Sequence, residues 1–386
     1  MNKKISTWML SGALLLPTTI SGCNSKPTAD QAINQGPRLN ELLQKYKTLR
    51  PGEKIPTFIM CSPKHLTKDP EYKNKYQNGW ELLTQTIEGL GGKIITLDAD
   101  NPETGYGAVW TRDPVLVFPK KKLFIESSTY HPSKRSVQQE AKQISGALLK
   151  EGFKKIQVDH FMPGGGDVLI DEEKGIVFIG YDSGRTMMEH VLPAIQNATG
   201  YKVIPIQRSL GDSLLSSKGS VNHPEHKIFY HLDTGMAKLP HGEYIVSESL
   251  TTAESLETLK KELGNNLIIV RDKLDKNSQL STSEDKRRLN RGRDAQGMSY
   301  NLIAVGETLV MPHCTAELEK ELQCHGYTIV TPNKLGFPED SWWFSNGSVH
   351  CATQQIVKLK ELLNETVCSI IVPQEIYMDR GHTRGV

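Results

Sequence analysis

The sequence has almost no net charge, few cysteines and no long hydrophobic run. Its 46 basic and 44 acidic side chains nearly cancel to a formal +2, so no strong overall field attracts a nucleic acid or an anionic bilayer. Six cysteines in 386 residues are too few for the disulfide framework of a small secreted domain. With 37% hydrophobic and 23% charged residues, the chain has the composition of an ordinary globular protein. Nucleic acid is therefore not an expected partner.

The first 23 residues have the pattern of a secretory signal. Two lysines precede the apolar run 8–16, which is too short to span a bilayer, and small residues lead from there to Cys23. Residues 20–23, ISGC, resemble the bacterial lipobox, which implies cleavage before Cys23 and a diacylglycerol on its sulfur. We expect a signal peptide at 1–22 and a polar tether at 23–52. The protein would be exported and lipid-anchored to a bacterial membrane, facing the periplasm or the outer membrane.

Lipidation of Cys23 would leave an odd number of cysteines in an exported protein. At least one thiol of the monomer then stays unpaired, and a free thiol in an oxidising compartment requires a functional explanation. The remaining cysteines are Cys61, Cys314, Cys324, Cys351 and Cys368.

One pattern recurs five times beyond residue 53: two short apolar strands, an amphipathic helix and a further strand. Each unit alone leaves one face of its sheet uncovered, so five units favour a closed, pseudo-fivefold α/β assembly. The alternative is a doubly wound sheet, but that fold has single strands between its helices, whereas hairpins precede most helices here. We expect residues 53–386 to form a single domain.

The second unit shows the pattern most clearly. Its strands are predicted at 108–118, 122–126 and 155–158, and its helix at 137–150. The first unit has a predicted helix at 79–89 and the fourth a predicted strand at 227–232.

The most specific motif is residues 347–355, GSVHCATQQ, a glycine-led turn that presents Cys351 at the edge of a terminal strand. It resembles the nucleophile motif of the guanidino-group-modifying superfamily, closest to the GGxxHCxTQQ signature of agmatine deiminases. An isolated cysteine is weak evidence, because buried free cysteines often act as small hydrophobic residues. The surrounding Gly, Thr and two Gln make the match specific. The resemblance implies that Cys351 is the catalytic nucleophile.

Residues 230–234, YHLDT, have a His-x-Asp spacing that places both polar side chains on one face of a strand. The resemblance implies that His231 is the general acid and base and that Asp233 binds the guanidinium. Two alternatives are an ordinary hydrogen-bonded histidine and a metal site that includes His223 and His226. These two histidines flank a proline in a loop-like stretch, so we expect no metal and no cofactor.

The segment 109–115, VWTRDPV, resembles the Thr-Arg-Asp segment that places a carboxylate against the guanidinium in this superfamily. It implies that Asp113, with the neighbouring Arg112, contacts the substrate. The segment 131–135, HPSKR, resembles the Pro-Ser-Arg-Arg stretch of dimethylarginine dimethylaminohydrolases. That match implies that Arg135 helps to hold the α-carboxylate of the substrate.

Two glycine-containing segments resemble the same family: 164–169, GGGDVL, and 180–186, GYDSGRT. The second implies that Arg185 is another carboxylate ligand. The first departs from the family pattern, because Gly164 stands where the family has a guanidinium-binding acid. Asp167 or another acid fills that role, or the chain prefers a different substrate.

The motifs occur in the order of the superfamily over residues 55–356, which implies the pentein fold, a five-bladed α/β-propeller. A guanidinium is planar and permanently charged, so it resists attack unless carboxylates orient it. The resemblance implies a hydrolase of the dimethylarginine dimethylaminohydrolase or arginine deiminase type, with a covalent thiouronium intermediate on the cysteine. Its partner would be a small guanidino substrate. The alternatives are an amidinotransferase, which passes the amidino group to an amine, and a non-catalytic guanidino-binding lipoprotein.

Overall fold

The computed structural model describes ten ranges of the chain: 36–63, 70–98, 111–127, 135–158, 163–181, 188–207, 231–248, 251–271, 299–342 and 348–356. Six α-helices lie within them. They are α1 (Gly36–Gln44), α2 (Pro70–Gly89), α3 (Arg135–Lys150), α4 (Met188–Thr199), α5 (Ala253–Leu263) and α6 (Ala316–Cys324). None of these helices is long and apolar enough to cross a membrane.

The strands of the described ranges form five three-stranded sheets of one design. Sheet 1 contains β1 (Thr57–Ser62), β2 (Lys93–Asp98) and β15 (Gln354–Ile356); sheet 2 contains β3 (Val115–Phe118), β4 (Leu123–Glu126) and β5 (Lys154–Ile156); sheet 3 contains β6 (Val168–Asp171), β7 (Ile176–Tyr181) and β8 (Lys202–Gln207); sheet 4 contains β9 (Met236–Lys238), β10 (Tyr244–Ser247) and β11 (Leu267–Val270); sheet 5 contains β12 (Ile303–Val305), β13 (Thr308–Val310) and β14 (Thr328–Val330). Each central strand pairs antiparallel with one neighbour and parallel with the other. The C-terminal strand β15 completes the N-terminal sheet.

Five hydrophobic clusters join the sheets to one another. In one of them Ile59 of sheet 1, Val117 of sheet 2 and Ile144 of α3 pack together. In another, Phe58 of sheet 1 packs with Val310 of sheet 5 and with residues of α2. The remaining clusters join sheets 2 and 3, 3 and 4, and 4 and 5 in the same way. Each sheet therefore shares hydrophobic clusters with two others.

The folded region begins before residue 53. Helix α1 buries Leu39 and Leu43 in the cluster shared by sheets 1 and 5, and Thr48 Oγ1 accepts a hydrogen bond of 2.8 Å from the Glu307 amide. The prediction of a tether as far as residue 52 is therefore wrong for residues 36–52, because a helix of nine residues is too short to show a sustained apolar period. Residues 1–35, with the predicted signal peptide and Cys23, lie outside the described residues.

Helix α2 begins at Pro70, nine positions before the predicted start. Proline is favoured in the first turn of a helix, where its missing N–H would have no intrahelical acceptor. The polar residues of the first turns concealed the amphipathic period there.

The strand predicted at 227–232 is also wrong at its C-terminal end, because residues Leu232–Thr234 form a 3-10 turn and the strand of this unit starts at Met236.

Candidate active site

Cys351 lies in a turn immediately before β15, and its side chain is almost fully buried. The turn is closed by backbone hydrogen bonds from Ala352 to Ser348 and from Thr353 to His350. Arg112, which precedes β3 in sheet 2, holds the turn from outside. Its amide donates to the Cys351 carbonyl at 3.2 Å, and its Nε donates to the His350 carbonyl at 3.1 Å. The contacts of Arg112 therefore position the cysteine turn.

Asn301, just before β12, connects the cysteine turn to sheet 5. Its Oδ1 accepts hydrogen bonds from the amides of His350, at 2.9 Å, and Cys351, at 3.2 Å. Its Nδ2 donates to the Cys351 sulfur at 3.0 Å. Sequence reasoning did not identify Asn301, since a polar residue ahead of an apolar strand carries no motif that links it to a cysteine 50 positions away.

Asp233 contacts the cysteine turn from the other side. Its Oδ2 accepts from the Nδ1 of His350 at 2.8 Å and faces the Cys351 sulfur at 3.4 Å. Its Oδ1 is buried and has no hydrogen-bond partner within the described part of the chain. A buried carboxylate oxygen without a partner is costly, so this atom is oriented for a cationic or hydrogen-bond-donating ligand.

His231 stands at the start of the 3-10 turn that carries Asp233. The predicted strand geometry of the His-x-Asp pair is wrong, yet the turn still directs both side chains into one site. His231 Nδ1 lies 3.5 Å from the Oδ1 of Asp113, which also accepts from the Gly166 amide at 3.1 Å. This imidazole is therefore held beside a buried carboxylate.

The glycines of the 164–166 segment allow this close approach. A Cβ on Gly166 would overlap His231 Nδ1 and would crowd Asp113, while a Cβ on Gly165 would overlap the Arg112 carbonyl oxygen. Asp167 follows in the same 3-10 turn and is buried, where its charge acts on Asp113. The 164–169 motif therefore leaves room for Arg112 and His231 beside its glycines and also supplies a buried acid.

The side-chain atoms of His231, Asp233 and Cys351 that can bind a metal all lie within 4.8 Å of one another. Four segments distant in sequence, at residues 112–113, 166–167, 231–233 and 350–351, thus converge with Asn301 at a single site. An imidazole, a carboxylate and a thiol at this separation are also donors that suit zinc. The same atoms can accordingly serve either nucleophilic chemistry or a metal ion.

Several predicted site residues, or their side chains, lie outside the described part of the chain. The backbone of Arg135 starts α3, but its side chain lies outside the description. Arg185 and Cys23 fall in undescribed segments, as do His223 and His226.

The protonation states at the cysteine turn follow from burial and charge. Burial and the nearby positive charge of Arg112 lower the pKa of His350 to about 4, so this ring is neutral at pH 7. Since a carboxylate only accepts, Nδ1 of the neutral ring carries the proton that it donates to Asp233. Burial would raise the pKa of Asp233, but the hydrogen bond from His350 and the charges of His231 and Arg112 keep it below its ordinary value. Asp233 is therefore anionic.

The pKa of the Cys351 thiol shifts upward, whereas that of Asp233 shifts downward. Burial first, and then the charges of Asp233 and Asp113, raise the pKa of Cys351 well above its ordinary value. Burial likewise raises the pKa of Asp113. In the unliganded site the sulfur is thus a thiol, and a bound cation would favour its ionisation by offsetting the two carboxylates.

Solved structures provide a comparison, whereas no protein-family model and no curated protein matches the sequence. The product-bound N-terminal domain of ArgZ, an arginine dihydrolase from the ornithine-ammonia cycle in cyanobacteria, superposes with a TM-score of 0.56 at 18% identity, over 79% of this chain and 98% of that one. Unliganded AgrE gives 0.57 at 16% identity, over 78% of this chain and 39% of that one.

A dimethylarginine dimethylaminohydrolase, in its adduct with S-methyl-L-thiocitrulline, gives a TM-score of 0.51 at 16% identity and is covered over its whole length. This chain has the pentein fold. The fold predicted from the motifs and the repeated units is therefore confirmed. Its five-unit design places the Cys351 turn, which leads into sheet 1, against residues that precede sheets 2, 4 and 5. Gly166, which precedes sheet 3, contacts Asp113 of the same site.

Proposed function

We propose that this chain is a hydrolase that attacks the guanidino carbon of arginine or a substituted arginine with the sulfur of Cys351. One observation carries the proposal: the buried Oδ1 of Asp233 has no partner in the described ranges, and it belongs to a carboxylate that lies beside a thiol and an imidazole. A guanidinium offers N–H donors in a plane, which satisfies a carboxylate with charge-assisted hydrogen bonds. The structural neighbours that act on arginine or its methylated forms support the same choice.

Binding of the cation prepares the nucleophile. Its positive charge offsets Asp233 and Asp113, whose charges otherwise disfavour a thiolate at Cys351. The thiol then gives its proton to His231, and the sulfur forms a bond to the guanidino carbon while a C–N π pair moves onto nitrogen. His231, held beside Asp113, protonates the departing nitrogen, and the C–N bond breaks to release ammonia or an alkylamine.

The second half of the reaction regenerates the enzyme. His231 takes a proton from water as the oxygen bonds to the carbon of the thiouronium, and the C–S bond then breaks to return the Cys351 thiolate. The net reaction adds one water to one guanidinium and yields a ureido product and an ammonium or alkylammonium ion. Arg135 and Arg185 are proposed to bind the α-carboxylate, which arginine has and agmatine lacks.

The proposal is tested with the full chain in detergent, incubated with arginine, methylated arginines and agmatine while ureido product is measured. We expect Cys351→Ala and His231→Ala to lower turnover by about 10⁴-fold or more. Cys314→Ala is the matched control, because Cys314 is a free thiol in sheet 5's unit that makes no contact with the site in the structure. Wild-type turnover by Cys351→Ala would refute the mechanism.

Three further readouts separate the alternatives. A product in which the amidino group is transferred to added glycine would indicate an amidinotransferase. Loss of turnover with a chelator, restored by zinc, would assign the His231, Asp233 and Cys351 group to a metal. Failure of a haloacetamidine to label Cys351 would favour a non-catalytic binding protein.

We also propose that Cys23 carries a lipid that anchors the enzyme to a bacterial membrane. The support is the signal pattern of residues 1–23. Labelled palmitate should be incorporated by the wild type and not by Cys23→Ala; an unlabelled wild type would end the proposal.

A further inference from the structure

Asn301 is the group outside the sequence motifs that touches the proposed nucleophile. Its side chain is fully buried, and its amide lies 3.0 Å from the Cys351 sulfur. The orientation of the amide is determined by its surroundings, because Oδ1 receives two backbone N–H donors, from His350 and Cys351. A flipped amide would place its own N–H groups against these donors, and the His350 amide would keep only its long 3.4 Å bond to the Asn301 backbone carbonyl. The Nδ2 group is therefore directed at the sulfur.

The sulfur has hydrogen bonds to two side chains, those of Asn301 and Asp233, and one from the Ser348 backbone, which lowers the Cys351 pKa as the Asn301 bond does. The two side-chain bonds differ in what they do to the thiol. Asp233 Oδ2 can only accept, so the contact at 3.4 Å requires the S–H proton and favours the neutral thiol. Asn301 Nδ2 donates, so its bond persists when the proton leaves and becomes charge-assisted. Asn301 therefore acts against Asp233 at the same atom.

We infer that Asn301 is a further catalytic residue of this site, which donates its side-chain amide hydrogen to the Cys351 sulfur and stabilises the thiolate in the step that forms the covalent intermediate and in the step that releases it. The inference rests on the proposed function for its place in the reaction. The contact itself does not, because a thiolate can be followed without any guanidino substrate. The direction of the pKa effect agrees, since the Asn301 bond opposes the rise that burial, Asp233 and Asp113 impose on Cys351.

Iodoacetamide provides the test. The thiolate of Cys351 forms an S–C bond as iodide leaves with the electron pair of the C–I bond, so the rate at each pH reports the thiolate fraction. The Cys351 peptide is followed by mass spectrometry in the full chain from pH 6 to 11. Loss of one charge-assisted hydrogen bond in Asn301→Ala should slow alkylation roughly 10- to 100-fold below the titration midpoint and move the midpoint to higher pH.

Asn301→Asp separates this role from simple anchoring of the turn. The aspartate keeps an oxygen for the amides of His350 and Cys351 but loses the N–H donor when ionised. An anchoring role predicts that Asp restores wild-type alkylation, and that result would overturn the inference. Thiolate stabilisation predicts that alkylation in Asn301→Asp is as slow as in Asn301→Ala or slower. Asn265→Ala, at an exposed asparagine after α5, is the control and should match the wild type.

A measurement on the wild type covers the case in which neither variant folds. With ¹⁵N-labelled asparagine, the side-chain amide resonance of Asn301 should shift with the same midpoint as Cys351 alkylation, and this shift should vanish in Cys351→Ser. An Asn301 resonance that ignores thiolate formation would refute the inference. If turnover were absent but these results held, the proposed function alone would fail. The titratable and charged groups that share the site with the sulfur are Arg112, Asp113, His231, Asp233 and His350.

Discussion

Two buried aspartates, Asp171 and Asp233, show how this fold treats a carboxylate with a structural role and one with a chemical role. Asp171 ends β6, and its Oδ1 accepts from Lys238 Nζ at 2.7 Å and from the amides of Glu173 and Lys174. Its Oδ2 accepts from the Tyr244 hydroxyl. Both oxygens are thus satisfied by sheets 3 and 4.

Asp233 is buried to a similar degree but is only half satisfied. His350 and Cys351 share its Oδ2, and Oδ1 has no partner among the described residues. A buried carboxylate oxygen without a partner costs free energy, which a ligand that donates a hydrogen bond to it would recover. The difference between the two carboxylates therefore marks the site more clearly than their burial does.

The largest expected effect is on turnover. Asp233→Asn removes the negative charge that would face a guanidinium and weakens the hydrogen bond expected at Oδ1, so kcat/KM should fall by about 10²- to 10⁴-fold. Asp171→Asn should change kcat/KM by less than about threefold, because Asp171 contacts no site residue in the structure. Both variants are assayed at several arginine concentrations. Similar losses in the two would erase the proposed distinction.

The next effect is on the free energy of unfolding, where Asp171 should matter more than Asp233. Asp171→Ala leaves Lys238, the Tyr244 hydroxyl and two amides without their acceptor, and should lower the free energy of unfolding by about 2–4 kcal/mol. This expected loss is smaller than the loss for a fully buried ion pair, because Lys238 is partly exposed and keeps its ion pair with Glu173. Asp233→Asn should change it by no more than about 1 kcal/mol, since one oxygen had no partner to lose. Urea unfolding at pH 7 measures both, and a larger loss for Asp233→Asn would contradict the comparison.

The smallest effect concerns alkaline pH. The folded-state pKa of Cys351 is raised, so the protonated thiol favours the folded state fully below the unfolded pKa of about 8.5, and this contribution is lost as pH rises toward the folded pKa. The free energy of unfolding of the wild type should therefore fall between about pH 8.5 and 10, by up to about 1.4 kcal/mol per pH unit more steeply than in Cys351→Ser.

Asp233 sharpens that measurement, because its charge is one cause of the raised thiol pKa. Asp233→Asn should make the fall of the unfolding free energy with pH that is due to Cys351 less steep. That contribution is the difference between Asp233→Asn and the double variant that also carries Cys351→Ser. Asp171→Asn, compared in the same way, should leave that difference as it is in the wild type. An identical pH dependence in the wild type and Cys351→Ser would count against a thiol that is neutral in the unliganded site.

Much of the architecture was accessible from local patterns. The alternation of apolar strands and amphipathic helices predicted the five units, and the helix predicted at 137–150 is α3, which starts two residues earlier, at Arg135. The errors occur where tertiary contacts outweigh a local period. Helix α1 is stabilised by two buried leucines, and the turn at Leu232–Thr234 replaces a strand because backbone and side-chain bonds from Thr234 to the His231 carbonyl close it.

The sequence by itself determined the order of the units, the glycines that permit close approach, and the types of side chain available for chemistry. Only the tertiary structure decided which of these side chains meet. It directed Arg112 to the carbonyl of His350, paired His350 with Asp233, and brought Asn301 to the cysteine sulfur. The physical reason is that hydrogen bonds between groups 50 to more than 200 positions apart depend on how five sheets pack, and no local period records that packing.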